Sequence, residues 1–370
     1  MGSIECNKHS PGARPRLAVI LGDPSGVGPE LIAKLLSNPA NSKKADIFLL
    51  ADRSELDSAI TDAGNVQVFL SDIAGPKGAQ LLDDNTAALY PTARSEVSKA
   101  SGERVIHQLK RALALAQEGK IDAIVFGPLN KSSLKLGGMK QEDELRWFAD
   151  QLNFKGRTSE INVAGSLWTG RVTSHIGIED VAERITAEST LEAIELLNRL
   201  RWESGLSSPR LGVCALNPHN GENGSFGRQE IDHIAPAVAA AQAKGINVQG
   251  PFPCDTIFIK RDNFDGIVTM YHDQGQIAMK LLSFDGGVTM QGGLPIPVAT
   301  PAHGTAFDIV GKNLAAITST QNAFDIACTM AERRVSNLNG NGNGEAHSLP
   351  EKKGLLPEIT ELQQPPTAIV

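Results

Sequence analysis

The chain has 370 residues, is 41% hydrophobic, carries a net charge of −7 and contains 36 glycines. That length favours two domains, and the composition is enough for a sizeable core with many tight turns. The acidic balance lacks the clustered Lys and Arg that nucleic-acid phosphates require, and no apolar run approaches the roughly 20 residues that span a bilayer. Residues 1–16 are polar and lack the apolar centre of a signal peptide, so a cytoplasmic protein with neither nucleic-acid nor membrane partners is expected. Cys6, Cys214, Cys254 and Cys328 form no CxxC pair and read as reduced thiols.

In chain order, residues 17–22 form a buried strand that runs into the turn Asp23-Pro24-Ser25-Gly26-Val27-Gly28-Pro29-Glu30. Pro29 suits the first turn of the helix carried by Leu31 to Leu36. A strand at 47–51 and a helix near 54–63 follow. The helix over 103–119 repeats Val105, Ile106, Leu109, Ala112, Leu113 and Ala116 at helical spacing. Residues 121–126 form a strand that ends at Gly127-Pro128-Leu129-Asn130-Lys131. The pattern then predicts a helix over 142–152, strands at 163–168 and 171–174, a helix over 189–201, a strand at 211–216, a helix over 228–243 and a strand at 266–271. This alternation predicts an α/β fold with a largely parallel sheet. From about 335 the chain turns polar, with a run of Asn and Gly at 337–344, and reads as a disordered tail.

Three histidines sit in Gly- and Asn-rich turns after strand-like runs: His175 in Thr-Ser-His-Ile-Gly, His219 in Leu-Asn-Pro-His-Asn-Gly-Glu and His272 in Tyr-His-Asp-Gln-Gly. Turns at strand ends concentrate function, and three such imidazoles can converge on one divalent metal with positions left for substrate. Their spacing matches no local zinc motif such as HExxH, and hydrogen-bonded surface or core imidazoles are the alternative. His107 and His233, in helical patterns, and His9 and His347, in the polar ends, take that plainer role. Asp273 is either an orienting carboxylate for an imidazole or a solvated turn residue. The glycines of the 22–30 turn let backbone approach a ligand, and the helix after it offers N–H groups to an anion, although the turn is neither GxGxxG nor GxxxxGK[ST]. Lys131 can bind a substrate carboxylate, assist proton transfer or cap a surface turn. The acidic run at 141–144 suits the first turn of a helix. The loop Ala-His-Gly-Thr-Ala-Phe-Asp-Ile-Val-Gly-Lys-Asn at 302–313 looks like a nucleotide-holding loop.

Through GDPSGVGPE, GPLNKS, the His175 turn, LNPHNGENGSFGRQE, GPFPCDTIF, YHDQGQIAMK and the 302–313 loop, the chain resembles the 4-hydroxythreonine-4-phosphate dehydrogenase family, NAD-dependent enzymes of pyridoxal phosphate synthesis. These matches cover roughly 16–335. The 302–313 loop is also similar to the adenosine loop of isopropylmalate and isocitrate dehydrogenases, whose fold the family shares. The resemblance implies a two-domain α/β fold of that type, with mostly parallel sheets flanked by helices and the active site in the interdomain cleft. It divides the chain into a flexible N-terminus at 1–15, a cofactor-side domain at 16–131 plus 297–335, a metal, substrate and dimerisation domain at 132–296, and a disordered tail at 336–370. It further implies a homodimer with the site at the subunit interface. His175, His219 and His272 would bind a divalent metal, zinc first, with manganese, magnesium or cobalt as alternatives. Lys280, Asp255 or a water between them would be the base. Asn217, Lys131, Asp143 and Thr289 stand on the substrate side, and His303, Gly304, Thr305, Asp308 and Asn313 on the cofactor side. Lys312 is the one basic residue in that loop, which favours NAD over NADP.

The chain also departs from the family. A Gly-His-Thr-Glu segment of the family, whose His and Thr touch the substrate and its phosphate, is replaced by the 141–144 acidic run. Its phosphate-contacting Asn falls at Thr289 and its Arg at Val298, aligned on Gly293-Leu294-Pro295. Lost donors and added carboxylates weaken a dianion site. The expected reaction is therefore NAD-dependent, metal-assisted oxidation of a secondary alcohol in an unphosphorylated hydroxy acid or diol, with decarboxylation where a β-keto acid forms. The alternatives are dehydrogenation of 4-hydroxythreonine 4-phosphate or another phosphorylated four-carbon acid at a rebuilt site, and a catalytically silent cofactor- or metal-binding protein.

Overall fold

The computed structural model of the chain describes residues 13–282 and 286–339. Its strands are β1 (Arg16–Ile20), β2 (Asp46–Leu50), β3 (Gln80–Leu81), β4 (Ala123–Phe126), β5 (Ser159–Ala164), β6 (Leu167–Arg171), β7 (Leu211–Cys214), β8 (Val248–Phe252), β9 (Gly266–Thr269), β10 (Val288–Gly292) and β11 (Val298–Pro301). They form one sheet in the order β3-β2-β1-β4-β11-β10-β5-β6-β9-β7-β8. Neighbours in the block β3-β2-β1-β4-β11 are parallel, as are those in the block β6-β9-β7-β8. Between the blocks, β10 runs antiparallel to β11 and β5, and β5 antiparallel to β6.

In the two parallel blocks, β1, β2, β4, β7 and β9 are covered on both faces, which is why they read as largely apolar runs. Leu17, Val19, Ile47, Leu49, Ile124, Val125, Val213, Ile267 and Val268 are fully buried. The middle of the sheet follows a different rule. In Ser-Glu-Ile-Asn-Val-Ala, buried and half-buried residues alternate. The strand expected at 163–168 is therefore divided by a tight turn at Gly165, which has φ of +57°, and Val163 faces Trp168 across the hairpin. The second expected strand shifts back likewise, from 171–174 to β6. β8 carries glycine and proline inside it, β10 and β11 interleave Thr or Gln and end on Gly292 and Pro301, and β3 is two residues long. None of these four has a clear strand signal in the sequence.

Caps move several helix boundaries. Ser98 accepts from the N–H of Ser101 at 3.1 Å and starts its helix at Lys99, ahead of the expected 103. In the stretch expected as helix 228–243, Pro236 has no N–H to donate, and a widened π turn at Glu230–Ile234 precedes the regular helix Ala235–Ala243. The last helix, Thr318–Asn339, packs Ala323, Phe324, Ala327 and Ala331 against the core and runs past the tail boundary expected at 336. At the other end Arg14 pairs with Asp46, so residues 13–15 of the expected flexible N-terminus are tied to the start of β2. Residues 1–12 and the tail from 340 lie outside the described residues.

A buried charge network joins the helices at Arg53–Asp62 and Lys99–Gln117. The Arg104 side chain is 3% exposed. Its Nε donates to Glu55 Oε1 at 2.8 Å, its Nη2 to Glu55 Oε2 at 2.5 Å and Asp52 Oδ1 at 3.2 Å, and its Nη1 to Thr86 at 2.7 Å. Removing one partner of a buried ion pair leaves an uncompensated charge, at a cost of about 3–5 kcal/mol. Arg104→Ala is expected to destabilise the fold by that order, read as a lowered denaturation midpoint. A midpoint within experimental error of the parent would show that the carboxylates find other partners.

Candidate active site

The 22–30 turn meets the 302–313 loop, where the sequence places the cofactor as an expectation. Gly22 leaves β1 with φ of +88°. A Cβ at Gly26 would stand 2.7 Å from the Thr305 Cβ, and the Val27 N–H donates to the Thr305 carbonyl at 3.0 Å. Thr305 is buried by this contact, whereas His303, Gly304, Asp308 and Asn313 are exposed on the same loop. Glu30, 1% exposed, receives the Lys34 ammonium at 2.7 Å and the Ala315 N–H at 2.9 Å, which locks the far end of the loop. Ser95 holds the Phe307 carbonyl at 2.7 Å. Asp23 is fully buried, and burial pushes its carboxyl above the usual range against hydrogen bonds from Ser101 and the Ser25 N–H. The two motifs, far apart in sequence, thus pack directly on each other.

The three histidines leave the C-terminal ends of three adjacent parallel strands: His175 after β6, His272 after β9 and His219 after β7. Crevices beyond such strand ends are where α/β sheets bind ligands. The β6–β9 pairing continues past the strands, with Thr173 N–H and Oγ1 both donating to the Met270 carbonyl, at 3.0 and 2.8 Å. This register sets the His175 and His272 rings side by side, centroids 5.5 Å apart. Gln274 ties the next pair of strand ends. Its Oε1 accepts from the Met270 N–H, and its Nε2 donates to the Ala215 carbonyl, each at 2.8 Å. His219 is exposed in a run of left-handed residues from His219 to Asn223. Glu230, 3% exposed, clamps the base of this turn by accepting from the N–H groups of Leu216 and Asn217, each at 2.8 Å.

The structure brings together one set of groups that sequence reading had kept apart. Among the described residues, the set of three potential ligand side chains within 4.8 Å of one another is Glu142, Asp143 and His175. Nδ1 of His175 lies 2.8 Å from Glu142 Oε1 and 3.5 Å from Asp143 Oδ2. Asp143 caps the helix Glu144–Gln151 by accepting from the Arg146 N–H at 2.8 Å, and pairs with the Arg146 guanidinium at 2.5 Å. His219 does not share that set, and His272 meets His175 only through the ring contact. Nδ1 of His272 stands 2.7 Å from Asp273 Oδ1.

The remaining expected residues lie outside that set of three. Lys131 is exposed at the start of its helix, and its charge opposes the upward push of burial on the Glu144 carboxyl. The Asn217 side-chain amide donates to Gln229 and Glu230, at 2.8 and 3.0 Å, and so supports the His219 turn. Thr289 is half-buried on β10 between Asn162 and Thr300 in register. Val298 is fully buried in β11. Asp255 and Lys280 are exposed, and Lys280 lies about 12 Å along the helix axis from His272. Glu142, Arg146, Gln274 and Glu230 are the supporting residues that sequence reading missed. The last two lie within quoted motifs, but their roles depend on contacts between different strand ends.

A mostly parallel α/β sheet with histidines at three neighbouring strand ends is the scaffold of this site, and the relatives that share it at 30% identity or more are named dehydrogenases. The chain belongs to the PdxA family: the family model for pyridoxal phosphate biosynthetic protein PdxA matches residues 43–327. It is 50% identical over 335 residues to a Pseudomonas aeruginosa protein provisionally named a second 4-hydroxythreonine-4-phosphate dehydrogenase, covering 87% of this chain and 98% of that one. It is 36% identical over 330 residues to the D-threonate 4-phosphate dehydrogenase of Cupriavidus necator, covering 87% and 98%. The crystal structure of 4-hydroxythreonine-4-phosphate dehydrogenase from Klebsiella pneumoniae matches with a TM-score of 0.74 at 32% identity, covering 87% of this chain and all of that one.

Proposed function

We propose that the protein is an NAD-dependent, divalent-metal-assisted dehydrogenase of a phosphorylated four-carbon acid, of the type of 4-hydroxythreonine 4-phosphate or D-threonate 4-phosphate. The observation that carries the chemistry is the paired His175 and His272 imidazoles, each with Nδ1 on a carboxylate oxygen. A carboxylate only accepts, so Nδ1 is the donor, and in the neutral imidazole Nε2 is the nitrogen with the lone pair. Two imidazoles prepared in this way, with a third on the neighbouring strand end, fit a divalent metal. The substrate class is supported by the names of the relatives, which are phosphorylated four-carbon acid dehydrogenases, and this favours the phosphorylated alternative over the unphosphorylated substrate expected from sequence.

When bound, the metal supplies Lewis acidity at the substrate hydroxyl and NAD the oxidising equivalent. His175, His219 and His272 hold the ion. Lys280 or Asp255, or a water between them, takes the hydroxyl proton. Residues 16–131 with 297–335 form the cofactor side, and 132–296 the metal side. NAD rests on the loop from His303 to Asn313. The deciding assay is NAD reduction by D-threonate 4-phosphate and 4-hydroxythreonine 4-phosphate, with zinc, manganese or magnesium, beside their unphosphorylated parents. Turnover of the parents alone would overturn the substrate assignment. The buried Val298 and the Glu142–His175 pair are the two observations that favour that second reading.

The working unit in this proposal is a homodimer. The elements that carry the histidines expose Ile176, Ile178, Phe226, Ile277 and Leu281, which a second copy would cover. His219 also stands apart from the other two imidazoles within one chain. Sedimentation at micromolar concentration is expected to give twice the chain mass, and a monomer at that concentration would overturn the dimer.

A further inference from the structure

We propose that Glu142 is a positioning residue of the metal centre: its carboxylate fixes the His175 imidazole so that Nε2 faces the ion. This rests on the metal-assisted reading above. The contact is 2.8 Å between His175 Nδ1 and Glu142 Oε1. It differs from a loose surface pair because Glu142 is itself held. Its other oxygen, Oε2, lies 3.5 Å from Arg146 Nη1, one helical turn on. Arg146 is in turn anchored on Asp143, whose side chain is 1% exposed and caps the helix. The chain of contacts runs from a buried cap through a guanidinium to a carboxylate and then to an imidazole.

The arrangement is matched at the neighbouring ring, where Asp273 Oδ1 stands 2.7 Å from His272 Nδ1. The two carboxylates come from different elements, one from the same turn as its histidine and one from a distant helix start. Both nevertheless leave the same ring nitrogen available. An orienting carboxylate raises ligand basicity and fixes ring rotation, and its loss lowers metal affinity about 10- to 100-fold. Glu142 thereby gives the 141–144 run, where this chain departs from the family it resembles, a role at the metal rather than at the substrate phosphate.

The test is metal affinity, with no substrate present. Zinc and manganese dissociation constants are measured by chelator competition on the full-length protein for Glu142→Ala, Glu142→Gln and His175→Ala. The visible spectrum of the cobalt-loaded form is recorded for each. Glu142 is 46% exposed, so its variants should keep the parent melting temperature, and a denaturation scan checks this. Glu142→Ala is expected to weaken binding about 10- to 100-fold and to alter the cobalt bands, whereas Glu142→Gln, which keeps an acceptor oxygen, recovers most of the affinity. Affinity within about twofold of the parent and an unchanged cobalt spectrum in Glu142→Ala would overturn the inference. If His175→Ala still loses metal in that case, only the role of Glu142 falls. If His175→Ala also binds normally, the metal reading falls with it.

Discussion

Replacing His219 is expected to remove metal and turnover together. The residue is exposed, and among the described residues its side chain makes a ring contact with Phe226, at a centroid distance of 6.2 Å, so little packing is lost. Its backbone is left-handed, with φ of +51°. Asn adopts that region more readily than Ala, so His219→Asn separates the imidazole from the backbone. Losing an orienting group costs 10- to 100-fold in metal affinity, and losing a ligand should exceed the upper end, more than about 100-fold. Metal content by mass spectrometry and NAD reduction should fall in both variants. Full occupancy in the triple variant His175→Ala, His219→Ala, His272→Ala would remove the site altogether.

The histidine turns were visible in the sequence because each interrupts an apolar strand with small and polar residues. That they leave neighbouring strand ends was not, since it depends on sheet order. β6, β9 and β7 are neighbours in space but not consecutive in the chain, and the ladder register that pairs Arg171 with Thr269 also sets His175 beside His272. Strands β1, β2, β4, β7 and β9 were read to within a few residues because burial on both faces leaves mostly one kind of side chain. The hairpin β5–β6 was misplaced because one face of β5 is half-exposed, so Glu160 and Asn162 break the run that the apolar pattern follows. Asp143 illustrates a different difficulty. A carboxylate before a helix reads equally as cap or ligand, and here it caps Glu144–Gln151 while its oxygens also lie near His175. Glu142 carries no signal of its own, because its partner sits on the turn after a strand that pairs elsewhere.

The substrate's phosphate should be worth at least about two orders of magnitude in kcat/KM. Each hydrogen bond to a charged group contributes roughly 1.5–3 kcal/mol. Two such donors give about 3–6 kcal/mol, or roughly 10²- to 10⁴-fold. The structure limits where those donors lie. Val298 is buried and apolar and supplies none, and Thr289 offers one hydroxyl from mid-strand. Arg146 is engaged by Glu142 and Asp143, and Arg171 is buried with its guanidinium 2.6 Å from Glu160. Lys131, exposed at a helix start beyond β4, is the cation that the sequence places on the substrate side as an expectation. Lys131→Met is therefore expected to lower kcat/KM for the phosphorylated acid by about 10- to 100-fold, the worth of one charged contact, and to leave the slow oxidation of the unphosphorylated acid nearly unchanged. The parent protein should reach about 10⁴ M⁻¹s⁻¹ or more on the phosphorylated compound, within the usual enzyme range. Equal losses on both substrates would assign Lys131 to the carboxylate or the proton transfer instead. Faster turnover of the unphosphorylated acid by the parent would mean that the loss of arginine at Val298 and the engagement of Glu142 with His175 mark a site that has given up its phosphate.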